Sequence, residues 1–230
     1  MVMHSPSTHD YFYTTRQQTI IYIKIISIMN RITSSTAKLM LTAALLSALL
    51  LLRALASNAQ NNYSSSTVDL VISGTSTLHN WDMKSVKANC TAAFNQNSAG
   101  QVTELTALSF STPATALKSE HTSMDNNAYK ALKTDKNPAI TYTMTSATVT
   151  NGNGGTIIVQ TKGKLTIAGA TRDEEIVATV KPNADNTLTV SGSRTISMKD
   201  FSMQPPSFMM GTIKTGNEVT LKFSLILKKI

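Results

Sequence analysis

The strongest pattern in the chain is strict alternation. In "EVTLKFSLILK", residues 218–228, Val219, Leu221, Phe223, Leu225 and Leu227 fall on one face, with Glu218, Thr220, Lys222, Ser224 and Lys228 on the other. A period of two marks a strand with one face against a core. The pattern recurs at 85–94, where Val86, Ala88, Cys90, Ala92 and Phe94 alternate with polar residues. It recurs again at 156–167 (Ile157, Val159, Leu165, Ile167) and at 187–198 (Leu188, Val190, Ile196, Met198). Weaker strand patterns lie at 67–73, 102–112, 139–149 and 174–181. Turn chemistry separates them: "NQNSAG" at 95–100, "NGNGG" at 151–155, "KPNADN" at 181–186 and "KTGN" at 214–217. Asp173, Glu174 and Glu175, after Arg172, read as a solvated turn.

One segment changes period. In "MDNNAYKALKTDKNP", 124–138, Ala128, Ala131 and Leu132 fall at helical spacing and Asp125 or Asn126 is a candidate cap. The residue before Pro138 is pushed out of the helical region, so the spacing predicts a short helix over 126–134. One helix cannot cover an eight-stranded sheet, so the apolar faces must cover one another. The expected fold is all-β, an eight-stranded antiparallel barrel with one short helix.

What fills such a barrel depends on its inward residues. Ala88, Ala92, Gly163, Ala178 and Gly192 are small and face Phe110, Tyr142, Met144 and Phe223. That leaves room along the axis, unless the large side chains pack it shut. Arg194 shares a face with Val190 and Ile196, so it either emerges at a rim or meets a carboxylate or a ligand oxygen. "DFSMQPPSFMMG", 200–211, concentrates Phe201, Met203, Phe208, Met209 and Met210 around the restricted backbone of Pro205 and Pro206. These side chains must fold over something apolar, as a lid on a barrel mouth or as a plug in its closed end.

The first quarter of the chain differs from the rest. "LMLTAALLSALLLL", 39–52, is apolar, too short to span a bilayer comfortably, preceded by Arg31 and Lys38 and followed by small residues. This is the layout of a secretory signal, with cleavage expected after Ala59 and Ala56 as second choice. "MNRITSSTAK" makes a normal basic leader, which puts the expected translation start at Met29. Residues 60–66 are then a flexible N-terminal segment and 67–230 the barrel domain, in a periplasmic or secreted protein. About 170 residues suffice for one domain with its own core.

Charge and chemistry narrow the function. Of the formal +8, residues 1–59 carry five basic side chains and one acidic, so the remainder is +4. Its cations are dispersed and few aromatics accompany the lysines, so nucleic-acid binding is not indicated, while mild attraction to anionic lipid or phosphate is compatible. Cys90 is the only cysteine, so no intramolecular disulfide forms. His79 and His121 are the only histidines after residue 59; they lie in different segments, and no nucleophile motif accompanies them, so no enzyme is expected. Methionine thioethers select Cu(I), which makes Met198, Met203, Met209 and Met210 with a histidine an alternative soft-metal site. A packed structural or interaction domain is the other alternative.

Four stretches together resemble the YceI-like family: "SGTSTLHNWDM" at 73–83, "MDNNAYKALKTDKNPAITY" at 124–142, "GKLTIAGATRDEEIVATV" at 163–180 and the segment 197–227. The pairing of a "GxLTIxGxTR" pattern with a later "DFxMxPPxFM" is the more specific part. The resemblance implies a bacterial secreted protein with a lipocalin-like barrel and no established catalytic machinery. It also implies a long apolar cavity holding an isoprenoid or similar lipid tail, with no other cofactor. On that reading the expected ligand-contacting residues are His79, Trp81, Phe94, Phe110, Tyr142, Met144, Val159, Leu165, Arg194, Ile196, Phe201, Met203, Phe208, Met209, Phe223 and Leu225. His79 and Trp81 are expected at the mouth, as structural residues or as hydrogen-bonding partners of a head group.

Overall fold

The computed structural model describes residues 59–98 and 100–230, and before them only Ile20, Ile23, Lys24 and Ser27, which are helical and exposed. Apart from those four residues and Ala59, the expected signal and leader, with the start at Met29, therefore lie outside the described residues. Among these residues no helix is long and apolar enough to cross a membrane.

The described chain is dominated by antiparallel strands. They are β1 (Ala59–Ser76), β2 (Trp81–Ser85), β3 (Asn89–Gln96), β4 (Val102–Pro113), β5 (Ala139–Asn151), β6 (Ile157–Ile167), β7 (Ala170–Pro182), β8 (Leu188–Ser197), β9 (Ser207–Phe208) and β10 (Ile213–Lys229). Each long strand pairs with its sequence neighbour, and β10 returns to β1 from Tyr63↔Lys229 to Ser76↔Thr215, which closes the sheet. β2 and β3 pair with successive parts of β1 and act as one broken strand, while β9 only extends the start of β10. The result is the expected eight-stranded closed barrel, whose inward face is the apolar alternation read from the sequence.

The break between β2 and β3 has a local cause. The Ser85 hydroxyl accepts the Lys87 amide (3.1 Å) and donates to the Lys87 carbonyl (3.2 Å), which itself accepts from the Thr112 hydroxyl (2.7 Å). This turn takes residues 86–88 out of the ladder. Val86, expected on the inward face, is therefore exposed.

Three other expectations are corrected. Residues 60–66 are not a loose lead-in: they belong to β1 and pair with β3 and β10. The run 173–175 is inside β7, because the β6–β7 turn is the two-residue Ala168–Gly169 with both φ positive (51° and 85°), the hairpin geometry that matches strand twist. "KTGN" at 214–217 lies within β10, where the β1–β10 register shifts between Gly74 and Ser76. The turns at 95–101, 151–156 and 181–187 do lie where the Asn- and Gly-rich clusters put them.

Two ladders are incomplete. Among the described residues β4 pairs with β5 only over Ser109–Pro113 against Ala139–Thr143, and β7 with β8 only over Ala178–Pro182 against Leu188–Gly192. The barrel thus has two seams. The β4–β5 seam is at the end carrying the tight Asn-rich turns, and the β7–β8 seam is at the other end.

That other end carries the helix α1, Thr122–Leu132, which starts earlier and stops sooner than expected. His121 is its N-cap, without a side-chain cap bond, and Asp125 lies inside the first turn. The Asp125 carboxylate reaches back to accept the Ser119 amide (2.7 Å) and hydroxyl (2.8 Å) and faces Lys118 at 3.4 Å. Burial pushes this carboxyl up, but those donors outweigh it and hold it below its usual range. Lys133 ends the helix in the left-handed conformation (φ 54°).

Candidate ligand cavity

The barrel interior is not solid. At the Asn-rich end it is closed by Tyr63 and Phe94, packed edge to face with centroids 5.7 Å apart, together with Val102, Leu105, Ile157, Val180, Leu188 and Leu227, all buried. Above this floor lies an elongated cavity of about 400 Å³ that opens at the helix end. Its wall is built by the alternation itself: Leu70 and Ile72 from β1, Val159 and Leu165 from β6, Val190 and Ile196 from β8, and Val219 through Leu227 at every second position of β10. Trp81 and Met83, Phe110, Ile140 and Tyr142, and Ile176 and Ala178 complete it.

Glycines let three aromatic rings lie flat on this wall. Trp81 covers Gly74, Tyr142 covers Gly163 and Phe223 covers Gly192 so closely that a Cβ on any of these glycines would meet the ring at under 3 Å. The small residues at 163 and 192 therefore do not empty the bore, as their size suggested. They hold the rings against the wall, and the free space lies beyond them.

Polar groups in the wall are few and satisfied. The Thr161 hydroxyl donates to the Ile176 carbonyl (3.1 Å), so at 2.8 Å the Tyr142 hydroxyl donates to Thr161; burial pushes this phenol's pKa up. Arg194 resolves its two alternatives by meeting a carboxylate. Nε and Nη2 both donate to Glu174 Oε2, at 3.0 and 2.7 Å, across the β7–β8 seam where backbone pairing is missing. The Arg194 side chain lines the cavity and is 43% exposed, while that of Glu174 is 12% exposed. Cys90 also faces the bore, and burial pushes its thiol up to about 11, so it is a thiol rather than a thiolate.

Three segments frame the mouth. The β1–β2 turn brings Ser76, Leu78 and His79; α1 brings His121, Ser123, Met124, Asn127 and Ala128; and the segment after β8 brings Met203, Pro206, Phe208 and Ile213. His79 and His121, distant in sequence, thus line the same opening. The Trp81 indole is fixed by donating to the Thr75 carbonyl (3.0 Å). The Met- and Phe-rich segment is tied down by its backbone: the Met203 amide bonds the Met198 carbonyl (3.1 Å), the Thr215 amide bonds the Pro206 carbonyl (3.0 Å), and Lys133 Nζ donates to the Ser202 carbonyl (3.3 Å).

Of the residues expected from sequence, His79, Trp81, Phe94, Phe110, Tyr142, Val159, Leu165, Arg194, Ile196, Met203, Phe208, Phe223 and Leu225 line the cavity. Two do not. Phe201 is completely buried as an anchor beneath the loop, and Met144, packed against the core, lines a separate pocket beside the β4–β5 seam. The Met209 side chain lies outside the described residues. Of the methionines of the alternative metal site, Met198 and Met203 line the cavity with His79 and His121, while Met210 is fully exposed; among the described residues no three His, Cys, Asp or Glu side chains cluster as ligands. Residues that sequence reasoning missed are Met124, Asn127 and Ala128 on α1 and Glu174 behind Arg194. The helical period marked the α1 face; nothing local marked Glu174.

No curated protein matches the chain. Among solved structures, BcnA of Burkholderia cenocepacia is similar at 15% identity and TM-score 0.55, over 69% of this chain and 95% of its own. A polyisoprenoid binding domain from Saccharophagus degradans, implicated in plant cell wall breakdown, is similar at 13% identity and TM-score 0.53, over 73% and 98%. At such identities the likeness concerns the fold. The family model of the YceI-like domain matches residues 60–227, which run from the start of β1 almost to the end of β10. With α1 and all the strands but the outermost residues of β1 and β10 inside that match, the chain belongs to the YceI-like domain family.

Proposed function

We propose that this protein sequesters or carries a long apolar lipid of isoprenoid type, tail inward, in its barrel cavity. The observation that carries this reading is the cavity itself: a blind bore with an apolar wall, closed at one end and open at the other. Each buried methylene contributes about 0.8 kcal/mol, so a chain of ten or more carbons would supply ample affinity after ordering costs. The fold shared with a polyisoprenoid binding domain supports the choice of ligand class. No reacting group is needed for this role, and a non-enzymatic function is part of the proposal. So is secretion into the periplasm, which the apolar run at 39–52 supports.

Native mass spectrometry of the protein purified from its own host, followed by organic extraction, tests the reading. A lipid-sized adduct that extraction removes is the expected result. A protein isolated empty and without affinity for apolar fluorescent probes overturns it, and a copper-sized adduct lost to a thiol chelator would move the function to the methionines. An N-terminus beginning at Gln60 is the expected result for the secreted form.

A further inference from the structure

The two ends of the barrel differ in surface chemistry. The turns at the closed end, 97–101, 152–156 and 183–187, are built from Asn, Gly, Gln, Ser, Thr, Ala and Asp. Among the described residues the closed end presents one large apolar side chain to solvent, Ile230 at 77%, outside its turns, whereas the mouth presents two from turn tips, Leu78 at 66% and Met210 fully exposed.

Neither is a random feature of a loose loop. The Ser76 hydroxyl accepts the amides of Leu78 (3.2 Å) and His79 (3.1 Å) and donates to the His79 carbonyl (2.7 Å), a tight turn with Leu78 at its tip. Met210 sits at φ 56°, a conformation disfavoured for its residue type, at the tip of the segment between β9 and β10. The two tips belong to one surface. The Thr77 amide donates to the Lys214 carbonyl (3.0 Å), the Lys214 amide to the Thr77 hydroxyl (3.1 Å), and that hydroxyl to the Thr212 carbonyl (3.3 Å).

This rim is continuous with the bore, because Leu78, Phe208 and Ile213 also line the cavity. Its charge is mixed with a small excess of lysines, since the exposed Glu120 and Glu218 also lie at this end. The segment 198–215 carries Lys199 and Lys214 against Asp200, and Lys133 is bonded to Ser202 within it. Fixed apolar tips flanked by lysines, opening on an apolar bore, complement one partner: the face of a bilayer containing anionic lipid, where apolar side chains enter the acyl boundary and ammonium groups meet phosphates.

We infer that the mouth rim, through Leu78 and Met210 with Lys199 and Lys214 beside them, is a docking surface for an anionic lipid membrane. The purpose of such docking rests on the lipid-carrier reading, since a tail could then pass between bilayer and bore without crossing water. The docking itself is measured separately.

Flotation with vesicles of phosphatidylcholine containing about one third phosphatidylglycerol tests it. The wild-type chain is expected to float with these vesicles and less with pure phosphatidylcholine. Leu78→Asp, and separately the pair Met210→Asp with Lys214→Glu, should each cut the bound fraction by about five-fold or more, with far-UV circular dichroism unchanged. The Met210→Asp/Lys214→Glu variant should still take up an apolar fluorophore from solution as the wild type does, because neither residue lines the cavity. A wild type that ignores both vesicle types, or variants that bind like it, overturns the inference. So does concentration-dependent self-association that these substitutions abolish, which would make the rim a contact between two copies. Wild-type uptake that fails while vesicle binding persists would sink the carrier reading and leave docking intact.

Discussion

Gly163 has no room for a side chain, since a Cβ there would stand 2.5 Å from the Thr143 carbonyl oxygen and 2.7 Å from the Tyr142 phenol. Gly163→Ala should therefore cost about 1–3 kcal/mol, read as a lowered urea midpoint, and should tip Tyr142 into the bore and weaken probe uptake. Asp125 makes a different prediction. Its carboxyl is held below the ordinary range in the folded state, so its stabilisation is complete above the unfolded value of about 4 and is lost as pH falls through the folded one. Asp125→Asn should lower stability by about 1–3 kcal/mol at neutral pH and flatten the acid limb of the stability–pH curve measured by urea unfolding. Cys90, raised to about 11, should be alkylated at pH 8 about 100-fold more slowly in the folded protein than in urea. The inward positions of Arg194, Tyr142 and Phe223 were legible from alternation alone. What lay on the small residues was not, because a glycine's size says nothing of which ring another strand will lay over it.

At the scale of the elements, the seams matter most. Where β7 and β8 part, the Arg194–Glu174 pair stands in for missing backbone bonds. Amides facing this seam from 171–177 and 193–197 should exchange with deuterium faster than those in the paired stretch 178–182 and 188–192. Arg194→Ala should accelerate that exchange further while lowering global stability by only about 1 kcal/mol, because the guanidinium is partly solvated. Strand existence was legible wherever the alternation was long, as in β6, β8 and β10. Interruptions were not: the Ser85–Lys87 turn breaks a strand that reads as continuous, and the Ala168–Gly169 hairpin draws an acidic run into β7. The start of α1 was missed for a related reason, since its N-cap, His121, uses no side chain of the usual capping kind.

For the whole molecule, closure followed from counting: eight apolar-faced strands and one helix leave the sheet only itself to pack against. Whether the tube is hollow depends on the sum of many side-chain volumes in three dimensions, which no single stretch encodes. Ala178 lines the bore between Val159 on β6 and Gly192 on β8, next to the Phe223 ring. Ala178→Phe should obstruct the cavity, abolishing uptake of an apolar probe while leaving the β-type circular dichroism and the urea midpoint close to wild type. If uptake continues, the bore is not the binding site.

The half-length ladders divide the wall into two panels, β5–β6–β7 and the five remaining staves. They are fastened along only five residue pairs on each side, at opposite ends. Rocking one panel against the other widens the tube without undoing a full-length ladder. A guest thicker than the resting bore could then be gripped by a modest diagonal yawning of the cask, so girth rather than length would be the dimension to which this container adjusts.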